Sequence, residues 1–262
     1  MRSSDEIVIY RLDQGVATIT LNRPERRNAL SIAASDRLYA LWDEIDADDQ
    51  VRVVVLTSAD CGTFCSGMDL KEAAEIRRER NCDILDVLKD PFYERMRSVR
   101  KPIIAAMTGH FTAGGMVLCL NSDLRVGLAG TKGGITEAKV GRGSPWGVPL
   151  LWMMPQPILL ELTLTGEMMP IERLREVGFI NYVEPSPEAV RQRAYALANT
   201  IRDNAPLTVL AGKASVASAM SLGCDAGLAH AKELYKPVYA SEDAQEGPRA
   251  FAEKRAPVWR GR

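Results

Sequence analysis

Few side chains in this chain offer themselves for acid–base chemistry. Only two histidines occur, His110 and His230, far apart in the sequence, so carboxylates and backbone groups are the expected catalysts. Two glycine-bearing turns stand out instead, Cys61 to Gly67 and Gly109-His110-Phe111-Thr112-Ala113-Gly114-Gly115. Each follows a continuous apolar run, Val53 to Thr57 or Pro102 to Met107, and each leads toward a helical start. Backbone N–H groups in such turns are unpaired and point outward, and the macrodipole of the following helix adds partial positive charge. Two amides from separate turns can converge on one carbonyl oxygen. That arrangement is an oxyanion hole, which lowers the cost of turning a carbonyl into an enolate. Gly67, Gly114 and Gly115 are also what tight backbone packing alone would require.

Other motifs carry less. Gly141-x-Gly143 lacks the third glycine of a dinucleotide fingerprint, and Pro145 stands near where its helix would begin. Ser66 and Ser144 lie in no nucleophile elbow, and neither is sequence-linked to a histidine. Cys61-x-x-x-Cys65 has no second ligand pair, so no metal is expected. His110 reads as a structural residue of the second glycine turn.

The elements that must position these turns are legible from periodicity. Ile7 to Tyr10 and Val16 to Leu21 read as a hairpin, and helical spacing begins at Ser31 with Leu38, Leu41, Trp42 and Ile45. Val53 to Thr57 and Pro102 to Met107 read as strands buried on both faces. Pro91 to Arg100 reads as helical. Strands alternating with helices predict an α/β fold with parallel pairing, in which binding sites form at the carboxyl ends of the strands. Beyond the glycine-rich stretch from Gly130 to Gly147 the chain is largely helical, over Pro155 to Leu164, Ile171 to Val177, Pro187 to Asn204, Pro206 to Met220, Asp225 to Tyr239 and Ser241 to Arg255. We expect an α/β core over residues 1–200 and a helical C-terminal assembly region over 201–262.

Composition narrows the class. The 262 residues are 46% hydrophobic and 26% charged, the balance of a globular protein with a large core. Thirty-three Lys and Arg against 34 Asp and Glu leave a net charge of −1, which disfavours nucleic acid as a partner. Met1 to Glu6 is polar and no apolar run approaches a membrane span, so no membrane partner is expected. Five irregularly spaced cysteines point to a reduced, cytoplasmic protein.

Taken in order, Asn22-Arg23-Pro24 with Asn28-Ala29-Leu30, then Phe64-Cys65-Ser66-Gly67-Met68-Asp69-Leu70, then Lys101-Pro102-Ile103-Ile104-Ala105-Ala106 with Gly109, Gly114-Gly115 and Ser122-Asp123 resemble the signatures of the crotonase superfamily, the enoyl-CoA hydratase/isomerase family. The likeness continues through Thr165-Gly166, Gly178-Phe179-Ile180-Asn181 and Phe251-Ala252-Glu253-Lys254-Arg255, covering almost the whole chain. It implies a crotonase-like spiral of ββα repeats with a helical C-terminal region, a thioester substrate carried on coenzyme A with no separate cofactor, and a homotrimer or dimer of trimers. By the same resemblance the Met68 and Gly114 amides form the oxyanion hole. Met68, Asp69, Leu70, Lys71 and Gly114 contact the coenzyme A thioester, and Lys254 approaches a phosphate of a coenzyme A bound by a neighbouring subunit.

Hydratases of this family use two glutamates, one to handle water and one to exchange a proton with the α-carbon. The second matches Glu137, whose apolar neighbours Ile135, Ala138 and Val140 should raise its pKa. The first falls twenty positions earlier, on Val117. Glu72, Asp83, Asp86 and Asp90 are the nearby substitutes for the missing carboxylate, and Val117 and Trp146 are expected to line the acyl pocket. The expected activity is reversible hydration of a 2-enoyl-CoA in fatty acid metabolism. The alternatives are double-bond isomerisation or C–C bond hydrolysis with a single glutamate, and a non-catalytic acyl-CoA-binding role.

Overall fold

The computed structural model describes residues 3–262, so the polar start expected at Met1 to Glu6 lies partly outside the described residues. Its strands are β1 (Val8–Asp13), β2 (Val16–Leu21), β3 (Val53–Ser58), β4 (Thr63–Cys65), β5 (Ile103–Met107), β6 (His110–Thr112), β7 (Leu124–Leu128), β8 (Lys132–Gly134), β9 (Met168–Pro170) and β10 (Tyr182–Glu184). Its helices are α1 (Ser4–Ile7), α2 (Ile32–Ala47), α3 (Leu70–Arg80), α4 (Glu94–Arg97), α5 (Gly114–Leu120), α6 (Gln156–Thr165), α7 (Ile171–Glu176), α8 (Pro187–Arg202), α9 (Pro206–Leu222), α10 (Cys224–Ala240) and α11 (Asp243–Ala252).

Three successive repeats each give one strand to either of two sheets. β3, β5 and β7 enter a six-stranded sheet of order β1-β2-β3-β5-β7-β10, while β4, β6 and β8 enter a four-stranded sheet of order β4-β6-β8-β9. Only the β1–β2 hairpin and the β8–β9 pair are antiparallel. The chain therefore winds as a spiral of ββα turns. The glycine turns are not loops throughout, because each contains a three-residue strand of the second sheet. β4 and β6 are too short to show a period of two, which is why the sequence reads them as turns.

The larger sheet is buried on both faces. Leu56, Ile103 and Ala105 join a core with α2 residues Leu38, Leu41 and Ile45. Val53, Val55, Ile104 and Val126 face α8, where Val190, Ala194 and Ala198 repeat at helical spacing. Ser31 starts α2 by accepting the Ala34 amide at 3.2 Å, and Ser186 starts α8 by accepting the Ala189 amide at 3.1 Å.

One expectation needs correction. The helix expected over Pro91 to Arg100 is reduced to α4, since Tyr93 before it sits at φ 54° and breaks the helical path. Ahead of it, the charged residues that follow Leu70 form α3, and a 3₁₀ turn follows at Ile84–Asp86. Residue 200 falls in the last turn of α8, and the chain bends by 111° between α8 and α9. Among the described residues no single helix is long and apolar enough to cross a membrane.

Candidate active site

The two glycine turns meet. Gly67 holds φ +85°, and a Cβ there would stand 2.7 Å from the Ala113 Cβ and 2.9 Å from the Gly114 nitrogen. A Cβ on Gly115 would run into the Cys65 carbonyl oxygen. Backbone thus packs on backbone at the carboxyl ends of β4 and β6, and only glycine permits it. Ala113 at φ 51° carries a strained geometry just before α5, the kind of strain that collects at functional sites.

The first turn is held from outside. Leu30 pairs with Met68, its amide donating to the Gly67 carbonyl at 2.8 Å while the Asp69 amide donates to the Leu30 carbonyl at 3.0 Å. Buried Asn28 adds two bonds, donating to the Ala59 carbonyl at 2.9 Å and the Thr63 carbonyl at 2.8 Å. These contacts leave the Met68 and Gly114 amides with no hydrogen-bond acceptor among the described residues. Both residues line one pocket of about 130 Å³.

Glu137 lines the same pocket, at the start of a 3₁₀ turn running to Val140. It is 8% exposed, and its Oε2 is buried without a hydrogen-bond partner. Burial pushes its carboxyl above the ordinary range, partly opposed by its own amide, the Trp146 side chain and the Thr136 backbone. Thr112 and Thr136 share a 2.8 Å hydroxyl bond that ties β6 to the approach to Glu137. Val117 and Trp146 are both in the lining of this pocket.

None of the four carboxylates offered in place of the one missing at Val117 reaches the pocket lining. Glu72 accepts the Ile32 amide at 2.9 Å and so caps α2. Asp83 is held by both Arg142 Nη atoms at 2.5 and 2.7 Å, which keep its pKa down at about 2. Asp86 accepts the Asp83 amide, and Asp90 accepts the amides of Glu94 and Arg95. Each is committed to local structure, so Glu137 is the one carboxylate lining the pocket among the described residues.

The residues that the resemblance puts at coenzyme A divide. Leu70 is 57% exposed at the pocket rim and Lys71 is exposed beside it. Asp69 is instead buried, paired with Arg23 at 2.8 Å and accepting the Lys71 and Glu72 amides as the cap of α3. Desolvation opposes these contacts, yet its pKa is lowered. It positions the rim. Lys254 lies exposed after α11 at φ 54° and is outside the pocket lining. His110 is exposed, its Nδ1 accepting the Lys132 amide at 2.9 Å, which joins β6 to β8. No group of three or more His, Cys, Asp or Glu among the described residues is placed to hold a metal ion.

Sequence reasoning missed a second wall. Leu85, Leu88, Phe92 and Tyr93 also line the pocket, and Arg142 links that segment to the Glu137 segment through Asp83. Their only sequence signal is the apolar spacing hidden inside a charged stretch.

Two unpaired amides and a buried carboxylate line one pocket on a spiral of ββα turns, the parts an enzyme needs to stabilise an enolate and move a proton beside it. The family model for enoyl-CoA hydratase/isomerase matches residues 11–262, and the chain belongs to that family. It is 34% identical over 261 residues to (E)-benzylidenesuccinyl-CoA hydratase of Thauera aromatica, covering 97% of this chain and 99% of that one. It is 35% identical to the enoyl-CoA hydratase EchA19 of Mycobacterium tuberculosis, over 93% of this chain and 92% of that one. Among solved structures, an enoyl-CoA hydratase from Bacillus anthracis superposes with a TM-score of 0.91 at 28% identity, covering 98% of this chain and 100% of that one.

Proposed function

We propose that this enzyme adds water reversibly across the double bond of a 2-enoyl-CoA, with Glu137 as its one proton-transfer group. The observation that carries the proposal is the buried Glu137 carboxylate, without a partner at Oε2, in a pocket shared with the free Met68 and Gly114 amides. The thioester oxygen would lie between those amides. As a water oxygen bonds to Cβ, Glu137 accepts the water's proton and the double-bond electrons move to the thioester oxygen. The two N–H groups hold the resulting enolate. Protonated Glu137 then gives its proton to Cα, the carboxylate returns, and H and OH have been added. A raised pKa suits a group that both takes and gives a proton. The hydratase names of similar proteins support the same direction.

Val117 favours a second reading, because moving a double bond needs only one base and an oxyanion hole. Retro-Claisen C–C hydrolysis would also need one glutamate. Short, long, branched and cyclic enoyl-CoA thioesters, incubated with the protein and followed by mass and retention, separate these reactions. Gain of one water on a 2-enoyl-CoA is the expected result. An unchanged mass at a new retention time would identify an isomerase, and ring cleavage with water a C–C hydrolase. No conversion of any thioester that binds would leave a non-catalytic acyl-CoA binder.

The same proposal places Leu70 and Lys71 against coenzyme A and brings Lys254 to the phosphates of a neighbouring subunit's substrate in a trimer or dimer of trimers. Apolar side chains exposed on the C-terminal helices support such an assembly, with Tyr239 75% and Phe251 87% exposed. A cytoplasmic setting within fatty acid metabolism belongs to the proposal too, supported by five free cysteines.

A further inference from the structure

At the opposite end of the larger sheet, before β3 and β5 begin, lies a second pocket of about 380 Å³. Four cationic residues line it, Arg52, Arg100, Lys101 and Arg260, against one carboxylate, Asp49, among the described residues. Lys101 is the key group. It is 7% exposed, and its ammonium has no hydrogen bond or ion pair among the described residues, although its carbonyl accepts Lys213 Nζ at 2.9 Å. Burial and the nearby Arg100 lower its pKa, and burial lowers that of Arg52, so positive charge is crowded there at a cost that neighbouring carboxylates only partly offset. Arg52 is aimed by bonds to the Arg202 and Asn204 carbonyls at 3.3 and 3.0 Å, and the Arg260 amide is fixed by Asp243 at 2.6 Å.

A backbone feature points the same way. The 17-residue α9 begins on this pocket with Pro206 and Leu207, and its N-cap Ala205 supplies no side-chain acceptor. The N-terminal end of a long helix and the unpartnered ammonium of Lys101, whose side chain is otherwise largely buried, therefore border one space, a combination suited to phosphoryl oxygens.

We propose that this pocket is a binding site for a small phosphate-class anion, separate from the acyl pocket, with Lys101 as its inner charge and Arg260 as its outer clasp. The volume admits pyrophosphate or the phosphate end of a nucleotide-sized molecule. Such a ligand would bridge the N-terminal ends of β3 and β5, the start of α9 and the C-terminal tail, and would stiffen the joint between core and arm.

Isothermal titration of the intact protein with pyrophosphate, at ionic strength held constant with sodium chloride, tests this. Saturable one-site binding is expected, weakened about tenfold or more in both Lys101→Met and Arg260→Gln. The exposed Arg260→Gln variant keeps the test valid should Lys101→Met fold poorly, and Glu137→Gln should bind pyrophosphate as the parent does. Absence of saturable binding would overturn the proposal, as would equal affinity in the parent and Arg260→Gln. A change of oligomeric state in either variant, with no pyrophosphate binding by the parent, would likewise overturn it and make this face a contact between copies.

Discussion

The two walls of the Glu137 pocket are built by different means. The wall of Gly67, Met68, Gly114 and Glu137 is fixed by backbone packing, with strand pairing behind it and no room for one added Cβ. The second wall, of Leu85, Leu88, Phe92 and Tyr93, begins within a 3₁₀ turn and is tied to the Glu137 segment by one ion pair, Asp83 to Arg142. Charge stabilisation needs donors that do not reorganise, which the first wall supplies. A side-chain wall can be resculpted without unfolding the spiral, so under the proposed function acyl preference would belong there and chemistry on the first.

The largest effect should come from the group with no substitute. Glu137→Gln is expected to lower turnover by about a thousandfold while coenzyme A thioester binding persists, checked by single-turnover kinetics alongside titration. In the parent, activity should fall on the acid side at a pH above the ordinary carboxylate value, because Glu137 must be ionised to take a proton and its pKa is raised. The stability sign follows from the same shift. Burial favours the neutral acid, so the group's contribution is full below its unfolded pKa and lost as pH rises through the folded one. Glu137→Gln should therefore be more stable than the parent at neutral pH and lose that advantage in acid, read by denaturant melts.

Gly67→Ala tests the claim that the first wall has no slack. Its Cβ would displace Ala113 or the Gly114 amide, and the φ of +85° adds backbone strain. We expect kcat to fall about a hundredfold, with stability down by about 1–3 kcal/mol, measured by steady-state kinetics and thermal unfolding. An unchanged kcat would mean that the two turns do not jointly hold the oxyanion.

Val117→Glu probes the same wall chemically. The site is 2% exposed, so an added carboxylate should cost about 2 kcal/mol or more of stability. Two nearby carboxylates disfavour double ionisation, so the acid limb of the pH–rate profile should move further upward. An unmoved profile would place the new side chain away from Glu137.

The first wall was largely legible in the sequence and the second was not, for physical reasons. Positive φ at Gly67 and close backbone contact at Gly67 and Gly115 leave few alternatives to glycine, so these turns stand out by residue type alone. Glu137, Val117 and Trp146 sit at intervals that a family resemblance fixes. The helices after Pro155 announce themselves by period and proline, and the ends of α6 to α11 lie within a few residues of those read from sequence. The second sheet escaped because β4, β6 and β8 are three residues each. The Asp83–Arg142 tie joins residues 59 apart, and no local pattern reports such a contact. The resemblance puts Asp69 at coenzyme A, and no local pattern in the sequence reports its burial or its bonds to Arg23 and α3.

The smallest effect should come from cutting the tie across the second wall. Both side chains are partly exposed, at 30% for Arg142 and 39% for Asp83, so solvent screens the pair and little global stability rests on it. Its value is positional, since it holds the Leu85–Leu88 segment over the pocket. Asp83→Asn should raise KM about two- to fivefold with kcat nearly unchanged, because uniform binding is lost and the oxyanion wall is untouched. High salt should raise KM in the parent and have less effect in Asp83→Asn. Asp83 has its pKa lowered to about 2, so the tie is intact above the ordinary aspartate range and is lost as pH falls toward that value. A fall in kcat equal to the rise in KM would show that the two walls are coupled, and the division of labour between them would then fail.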